Sequence, residues 1–357
     1  MRSGSQKLSH CPNILKNTGG LQMKGFIYNG PGNIEMKEIP LPACGDNDII
    51  VKNIYSGICG SDVTAYKQDG ASMRIYPGYE FGHEMVSRVV EVGKNVKDIQ
   101  VGDRVYPYPM FAKDDTSRSA TVGGFSEYVH IPNCKLNHSV YKIDDSISDK
   151  VAALMEPFTV GARAAVLSDP KPGQNAIVFG AGVIGMAAAI TLKHLGCDKV
   201  MLVNRSTYRL EIAEQMGFFT CSPVKQDLKE TAIAALGTGY GIMGPTINAD
   251  IYIDATGADD AFHAFEQYGK LNSVFTVVGL HHQPLTVNIL TLTFASKRIQ
   301  GSGGYTPDEV GLVMDIMRSG KFDLEKLITQ EYPLEQLEEG IRKASTSSES
   351  MKVMIKF

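Results

Sequence analysis

Three short stretches contain the residue types that bind catalytic metal ions. GICGSD contains Cys59, FGHE contains His83 and Glu84, and MEP contains Glu156. Catalytic zinc sites use thiolate, imidazole and carboxylate ligands and leave one position open for water or substrate. Each residue also has an ordinary structural explanation, as a buried thiol, a core histidine, a solvated strand residue or a residue at a helix start. Spacing alone does not decide between these interpretations.

A second stretch, FGAGVIG, has the spacing of a phosphate-binding loop. Gly180, Gly182 and Gly185 form a G-x-G-x-x-G pattern, with Val183 and Ile184 between the last two glycines. The pattern follows an apolar strand and opens a predicted helix, whose N-terminal N–H groups attract a pyrophosphate. Because this context matches the fingerprint, we predict a dinucleotide-binding site here.

The end of the next predicted strand favours NADP(H) over NAD(H). Enzymes that use NAD usually keep an acidic residue there for the ribose hydroxyl, but this chain has Asn204. Arg205, Ser206 and Arg209 add two cations and a hydroxyl that suit a 2′-phosphate. Asp198 precedes the strand and does not replace the missing acid. In the alternative interpretation the arginines are solvated and Asn204 caps the helix.

Two sequence patterns, each in a different part of the chain, predict the elements that position these residues. Short apolar runs broken by Gly, Pro, Asn and Asp predict a β-rich domain at 23–160, whereas alternating strands and helices predict a parallel α/β domain at 161–300. Residues 301–357 contain an amphipathic helix and a last strand, which we expect to complete the first domain. Residues 1–22 are polar and patternless, and we expect a flexible extension or leader.

Composition favours a small-molecule partner. The 357-residue chain is 21% charged and 43% hydrophobic with a formal net charge of -4, so it lacks the basic surface typical of nucleic-acid or membrane binding. No apolar run reaches the length of about 18 residues that a membrane span needs, and no signal peptide is recognisable. The six cysteines include no C-x-x-C pair. We therefore expect a cytoplasmic protein with reduced thiols.

The order of several motifs resembles a known family. GICGSD, GHEMVSRVVEVGKNVKDIQVGDRV, GGFSEYV, MEPFTVGARAA and FGAGVIG occur in the order found in the zinc-dependent medium-chain dehydrogenase/reductase family. The chain is most similar to the branch of polyol (sorbitol), threonine and butanediol dehydrogenases, over essentially all of Met23 to Phe357. The resemblance implies an α/β protein with a GroES-like β-rich catalytic domain and a Rossmann doubly wound parallel sheet.

The resemblance also assigns roles to the candidate ligands. It implies that Cys59 and His83 bind a catalytic zinc and that Glu156 binds it directly or through water. Glu84 corresponds to a direct or exchangeable ligand. Ser61 corresponds to the hydroxyl that passes the substrate proton to solvent.

Further expectations follow from the same resemblance. Asp62 would orient His83, and Thr159 and Leu280 would lie near the nicotinamide. Many relatives carry a second, structural zinc on four cysteines after G-D-R-V, but this chain has no cysteine there, so we expect one catalytic zinc and no structural zinc. Relatives are commonly dimers or tetramers, which implies a homo-dimer or homo-tetramer.

These expectations lead to one main hypothesis and two alternatives. The main hypothesis is a zinc-dependent oxidoreductase that transfers hydride between NADP(H) and a secondary alcohol or ketone. One alternative is a metal-free NADPH reductase of the quinone or enoyl type, although those relatives lack the set of metal ligands. The other is a cofactor-binding protein without catalysis. The presence of Cys59, Ser61, His83 and Glu156 together also disfavours this alternative.

The substrate is not determined by the sequence. The candidate pocket residues share small or aromatic side chains and are Ala65, Tyr66, Tyr108 and Phe111. They are compatible with a sugar alcohol, a small diol or a bulky ring alcohol. His281 and His282 follow a predicted strand, and we interpret them as part of a polar loop.

Overall fold

The computed structural model describes residues 20–346 and 348–357, so most of the predicted extension lies outside the described residues. The first part is rich in antiparallel strands, because its short apolar runs are separated by turn residues. Its elements are β1 (Gln22–Gly30), β2 (Asn33–Pro40), β3 (Ile49–Gly57), α1 (Gly60–Lys67), β4 (Tyr79–Glu80), β5 (Glu84–Val92), β6 (Arg104–Pro107), β7 (Tyr128–Ile131), β8 (Val140–Lys142), α2 (Asp149–Ala152) and α3 (Met155–Leu167).

The second part alternates strands and helices around a parallel sheet. Its elements are β9 (Ala176–Phe179), α4 (Val183–His194), β10 (Val200–Val203), α5 (Thr207–Gln215), β11 (Phe219–Cys221), α6 (Leu228–Leu236), β12 (Thr238–Gly241), β13 (Gly244–Ile247), β14 (Ile251–Asp254), α7 (Asp259–Tyr268), β15 (Val274–Val277), α8 (Ile289–Ala295) and β16 (Arg298–Gly301). The strand order is β11-β10-β9-β14-β15-β16, and every pair is parallel. The central strands are buried along their whole length, as expected for a sheet covered on both faces.

The last part returns to the first. It contains α9 (Pro307–Ser319), β17 (Ile328–Pro333), α10 (Leu337–Ala344) and β18 (Lys352–Lys356). Strand β18 pairs antiparallel with β3, so that Met354 lies opposite Gly57. This sheet therefore has the order β17-β18-β3-β5-β6-β8, with β7 also paired to β3; the pair β17–β18 is parallel and the others are antiparallel. Short 3₁₀ helices lie at Ala71–Met73, Thr116–Thr121, Leu324–Leu327 and Leu334–Gln336.

Helix α3 joins the two parts, and the predicted boundary between residues 160 and 161 falls inside it. Its second half packs closely on α4: a Cβ atom at Gly161 would lie 2.5 Å from the backbone oxygen of Ile184 and 2.6 Å from the Cβ of Ala187. Its first turn carries Glu156. One helix therefore connects a candidate metal ligand to the helix that follows the glycine loop.

Helix α4 is the apolar helix that follows the glycine loop. Eight of its residues are buried, from Gly185 to Leu192, because it lies between α3 and the parallel sheet. In the described part of the chain, no helix combines the length and apolarity needed to cross a bilayer.

Candidate metal and cofactor site

Pairing of β3 with β5 brings three candidate ligands together. Gly57, the last residue of β3, lies opposite Glu84, the first residue of β5. Cys59 follows β3 by two residues and His83 directly precedes β5, so both lie at the same end of the strand pair. The ligand atoms of Cys59, His83 and Glu84 all lie within 4.8 Å of one another. One thiolate, one imidazole and one carboxylate are a donor set that suits zinc.

Two glycines provide the space for this group. A Cβ atom at Gly57 would lie 2.2 Å from the carboxylate oxygen Oε2 of Glu84. Gly82 has a φ of +87°, and a Cβ atom there would lie 2.7 Å from the ring of Phe125. Gly57 is therefore required by close packing, and Gly82 by close packing and by a left-handed backbone conformation.

Glu84 also forms a buried ion pair with the last strand of the chain. Lys352 on β18 donates to the Glu84 carboxylate, and both side chains are almost fully buried. The Lys352 ammonium donates a second hydrogen bond of 3.0 Å to the backbone oxygen of Ile58. Lys352 thus neutralises Glu84 directly behind the group of candidate ligands.

Glu156 lies near the group but outside it. Among the described residues, the set whose ligand atoms lie within 4.8 Å of one another comprises Cys59, His83 and Glu84 without Glu156. The Glu156 Oε1 atom accepts a hydrogen bond of 2.9 Å from the Tyr305 hydroxyl. The structure therefore groups Glu84 with the cysteine and histidine, and holds Glu156 beside them through Tyr305.

Burial and charge perturb protonation in the site. Burial favours the neutral form of His83, but the charge of Cys59 and its hydrogen bond, with the charges of Glu156 and Asp62, raise the pKa of His83 well above its ordinary value. Burial raises the pKa of Glu156 to about 7, against the opposing charge of His83. A metal ion binds deprotonated ligands, so it would displace protons from this cluster.

Several buried polar atoms at the site have no protein partner. In the described part of the chain, the Nδ1 atom of His83, the hydroxyl of Ser61 and the Oδ1 atom of Asp62 make no hydrogen bond. Native structures rarely leave such groups unsatisfied, so these unpaired atoms fit a site that receives a metal ion and an oxygen ligand. Asp62 is not hydrogen-bonded to His83 as the resemblance implied. Its Oδ2 atom instead accepts the Cys59 backbone N–H at 2.9 Å, and burial raises the pKa of Asp62 to about 6.

The glycine loop has the geometry of a phosphate-binding turn. Gly180 has a φ of +98°, and Gly182 is the N-cap of α4, which starts with Val183 and Ile184. A Cβ atom at Gly185 would lie 1.8 Å from the backbone oxygen of Gly180. Only glycine fits this position, and the helix N-terminus is left open to an anion.

Two further cofactor candidates lie in α3 and in the loop after β15. Thr159 is fully buried in α3, and its hydroxyl donates to the backbone oxygen of Glu156 at 2.6 Å. Leu280 follows β15 and is 67% exposed. Thr159 is therefore hydrogen-bonded to the backbone of Glu156, a candidate metal ligand. Leu280, in contrast, has an exposed apolar side chain at the carboxyl edge of the parallel sheet.

Asn204 and Arg205, which follow β10, have protein partners of their own at the position predicted to bind a 2′-phosphate. Ser206, and not Asn204, is the N-cap of α5. The Asn204 Oδ1 atom accepts from the backbone N–H of Ala181 at 3.4 Å, which links it to the glycine loop. Arg205 forms an exposed ion pair of 2.9 Å with Asp260.

Arg209 is largely buried and turns back toward the glycine loop. Its Nε atom donates to the backbone oxygen of Ser350 at 3.0 Å, and its NH1 atom is 3.4 Å from where a Cβ atom of Gly182 would be. Arg209 therefore lies beside the predicted pyrophosphate position.

The four proposed pocket residues lie in packed surroundings. Ala65 is fully buried, and Tyr66 packs on the same cluster with its hydroxyl donating to Glu338. Tyr108 is buried and donates to the backbone oxygen of Tyr305 at 3.0 Å. Phe111 stacks on His138, with ring centroids 4.4 Å apart.

Comparisons with known proteins identify the families of the two domains. The alcohol dehydrogenase GroES-like domain family matches residues 45–145, and the zinc-binding dehydrogenase family matches residues 183–319. L-threonine 3-dehydrogenase of Pectobacterium atrosepticum is 29% identical over 339 residues, covering 90% of each chain.

Solved structures of the same fold extend this result. 2R,3R-butanediol dehydrogenase of Bacillus subtilis is 25% identical with a TM-score of 0.80, covering 94% of this chain and 99% of its own. Galactitol-1-phosphate dehydrogenase of Escherichia coli is 22% identical with a TM-score of 0.78, covering 94% and 100%. The predicted fold class, a GroES-like domain with a Rossmann domain, is confirmed.

Proposed function

The chain belongs to the zinc-dependent medium-chain dehydrogenase/reductase family, and from this premise we propose that it is an alcohol dehydrogenase that transfers hydride between a secondary alcohol or ketone and a nicotinamide dinucleotide. The observation that carries the proposal is the position of α3 between the two sites. Glu156 on its first turn lies beside the candidate metal ligands, and Gly161 packs on the start of α4. Five residues of helix rise about 7.5 Å, so both sites serve one cleft.

Cys59, His83 and Glu84 would hold a zinc ion, with Glu156 as a further ligand that binds directly or through water. The ion would act as a Lewis acid and stabilise negative charge on the substrate oxygen. The Ser61 hydroxyl is buried without a protein partner two residues after Cys59, and it would relay the substrate proton, accepting it while passing its own proton on toward solvent. Lys352 balances the charge of Glu84 and thereby limits the net negative charge of the site.

The named relatives support a proposal for the substrate class. The named relatives act on L-threonine, 2R,3R-butanediol and galactitol 1-phosphate. Each of these carries its reactive hydroxyl next to a carbon that bears another heteroatom. We therefore infer a polyol, diol or hydroxy-ketone as the substrate. The same site could catalyse oxidation of the alcohol and reduction of the ketone.

NADP(H) is proposed as the preferred cofactor over NAD(H). Asn204 lacks the carboxylate that would repel a 2′-phosphate, and Arg205 is exposed at the end of β10. Asp260, the partner of Arg205, opposes this preference, because a phosphate would have to displace it. Loss of one charge-assisted contact costs about 1.5–3 kcal/mol. Arg205→Ala should therefore reduce kcat/KM for NADP by roughly ten- to a hundredfold and leave that for NAD unchanged.

The cofactor test compares kcat/KM for NADP and NAD in the wild-type enzyme and in two variants. Arg342→Ala is the matched control, since Arg342 is also an exposed arginine with an acidic partner but lies on α10. A wild-type preference for NAD, or an equal loss with both cofactors in Arg205→Ala, would contradict the assignment.

A homo-dimer or homo-tetramer is proposed as the working assembly. In the described chain, β16 ends the parallel sheet with an open edge. Three apolar side chains on the preceding helix, Ile289, Leu290 and Phe294, are more than half exposed. Apolar surface next to an open strand edge favours association with a second copy. Light scattering after size-exclusion chromatography measures the assembly, and a monomer would refute it.

The experiment that tests the main proposal is metal content per chain, measured on protein purified without chelator. We expect close to one zinc per chain, lost in Cys59→Ala and retained in Cys44→Ala, a half-buried cysteine outside the group. Turnover of secondary alcohols should disappear with the metal. Two zinc ions per chain would reveal a second site, whereas absence of both metal and alcohol oxidation would favour the metal-free reductase or the non-catalytic protein.

A further inference from the structure

A buried carboxylate and a histidine tie together two loops at the carboxyl edge of the parallel sheet. Asp254 is the last residue of β14 and is fully buried. His281 lies four residues after the end of β15, and its Nε2 atom is 2.7 Å from the Asp254 Oδ2 atom. Its ring is mostly buried, with the Nδ1 atom 3.7 Å from a carboxylate oxygen of Asp259.

Asp254 also organises the loop that follows its own strand. Its Oδ1 atom accepts hydrogen bonds from the Thr256 backbone N–H at 2.8 Å, from the Thr256 hydroxyl at 2.6 Å and from the Gly257 N–H at 3.2 Å. Its backbone oxygen accepts from the N–H of Gly279, in the other loop, at 2.8 Å. One residue therefore binds both loops through its side chain and its backbone.

The two loops approach each other without spare room. A Cβ atom at Gly257 would lie 2.3 Å from the backbone oxygen of Leu280, and a Cβ atom at Gly279 would lie 2.2 Å from the Gly257 nitrogen. Leu280 precedes His281 directly, and its side chain is exposed. The His281–Asp254 hydrogen bond thus limits where the Leu280 backbone can lie.

The position of these loops relates them to the cofactor. Strand order reverses between β9, which precedes the glycine loop, and β14, which carries Asp254. In open parallel sheets the dinucleotide binds at the carboxyl ends of the strands next to such a reversal. The loops after β14 and β15 therefore border the site that starts at Gly180.

We propose that His281 is a positioning residue of the cofactor site. Through its hydrogen bond to Asp254, His281 holds the loop after β15, which carries Leu280, against the bound dinucleotide. This inference rests on the proposed function. An imidazole N–H that donates to a buried carboxylate forms a strong, directional bond. Without that bond the loop after β15 would be free to move away from the dinucleotide. Cofactor binding would then be weaker, because the loop would have to become ordered on binding.

The test is direct cofactor binding, measured by titration of NADPH and NADH fluorescence in the metal-loaded enzyme. His281→Ala should weaken binding of the preferred cofactor about tenfold and raise its KM, with kcat changed less. His281→Gln, whose amide can donate near the position of Nε2, should recover most of the affinity. His282→Ala is the matched control, since His282 is the exposed neighbour.

The outcomes separate this inference from the proposed function. Metal content of the variants should equal that of the wild type, since His281 lies outside the group of candidate metal ligands. The unfolding midpoint of His281→Ala should fall, because the buried Oδ2 atom of Asp254 loses its donor, whereas that of His281→Gln should stay close to the wild type. If His281→Ala does not fold, the comparison of His281→Gln with His281→Leu replaces it. Wild-type turnover with unchanged cofactor affinity in the His281 variants would overturn the inference alone. A wild-type enzyme that binds neither cofactor would overturn both.

Discussion

Replacing Lys352 by methionine should destabilise the folded chain by about 3–5 kcal/mol. Lys352 and Glu84 form an ion pair with side-chain exposures of 3% and 2%, and the lysine also donates to the Ile58 backbone oxygen. Methionine keeps most of the volume of the lysine stem but removes the charge. The Glu84 carboxylate then stays buried without a counter-ion, and removal of one partner of a buried pair has a cost of this size.

The same reasoning predicts that the double variant recovers. Lys352→Met combined with Glu84→Gln leaves no unpaired charge, and a buried pair replaced by neutral side chains of similar volume is often close to neutral in stability. We therefore expect the double variant to be more stable than Lys352→Met by about 2 kcal/mol or more. Measurement of Glu84→Gln alone completes a double-mutant cycle, and the double variant minus the two single variants gives the coupling of the two charges.

Urea unfolding in the presence of a chelator provides the assay, because Glu84 belongs to the proposed metal group and a bound ion would add its own stabilisation. Lys356→Met is the matched control: Lys356 lies on the same strand, β18, but is exposed. Its replacement should change the free energy of unfolding by less than about 0.5 kcal/mol. A Lys352→Met variant within about 1 kcal/mol of the wild type would refute the assigned role of the pair.

Two further predictions concern the glycine loop and a half-buried lysine. Gly185→Ala places a Cβ atom 1.8 Å from the Gly180 oxygen and should abolish cofactor binding in a fluorescence titration, whereas Gly311→Ala, with open space in α9, should not. Burial lowers the pKa of Lys113 to about 8 from 10.5, so between these values the unfolded chain holds a proton that the folded chain has released. The free energy of unfolding should therefore rise with pH across this window, and Lys113→Met should flatten the rise in urea titrations; an unchanged slope would contradict the assignment.

Local patterns in the sequence were sufficient to predict the glycine loop. They were also sufficient to predict a β-rich part of the chain and a part in which strands and helices alternate. The G-x-G-x-x-G spacing is a property of seven consecutive residues, and the steric need for Gly185 follows from the same short turn. Alternating apolar strands and helices likewise depend on neighbours within a few residues. The order of motifs around Cys59 and His83 identified the family, which the domain matches support.

Local patterns could not identify the residues that complete the site. Lys352 meets Glu84 across 268 positions of sequence, and Tyr305 meets Glu156 across 149. A charged residue within the apolar strand MKVMIKF was the available signal for Lys352, because lysine is rarely buried without a partner. The sequence did not indicate which carboxylate that partner would be.

The division between sequence and tertiary structure has a physical basis. Turn geometry, helix starts and strand periodicity arise from interactions between near neighbours, so the sequence by itself determined the glycine loop and the residue types of the candidate metal ligands. Strand order brought β18 beside β3 and aligned β14 with β15, and these pairings depend on the burial of whole elements. Only the tertiary structure therefore decided that Glu84 joins Cys59 and His83, that Tyr305 holds Glu156, and that His281 reaches Asp254.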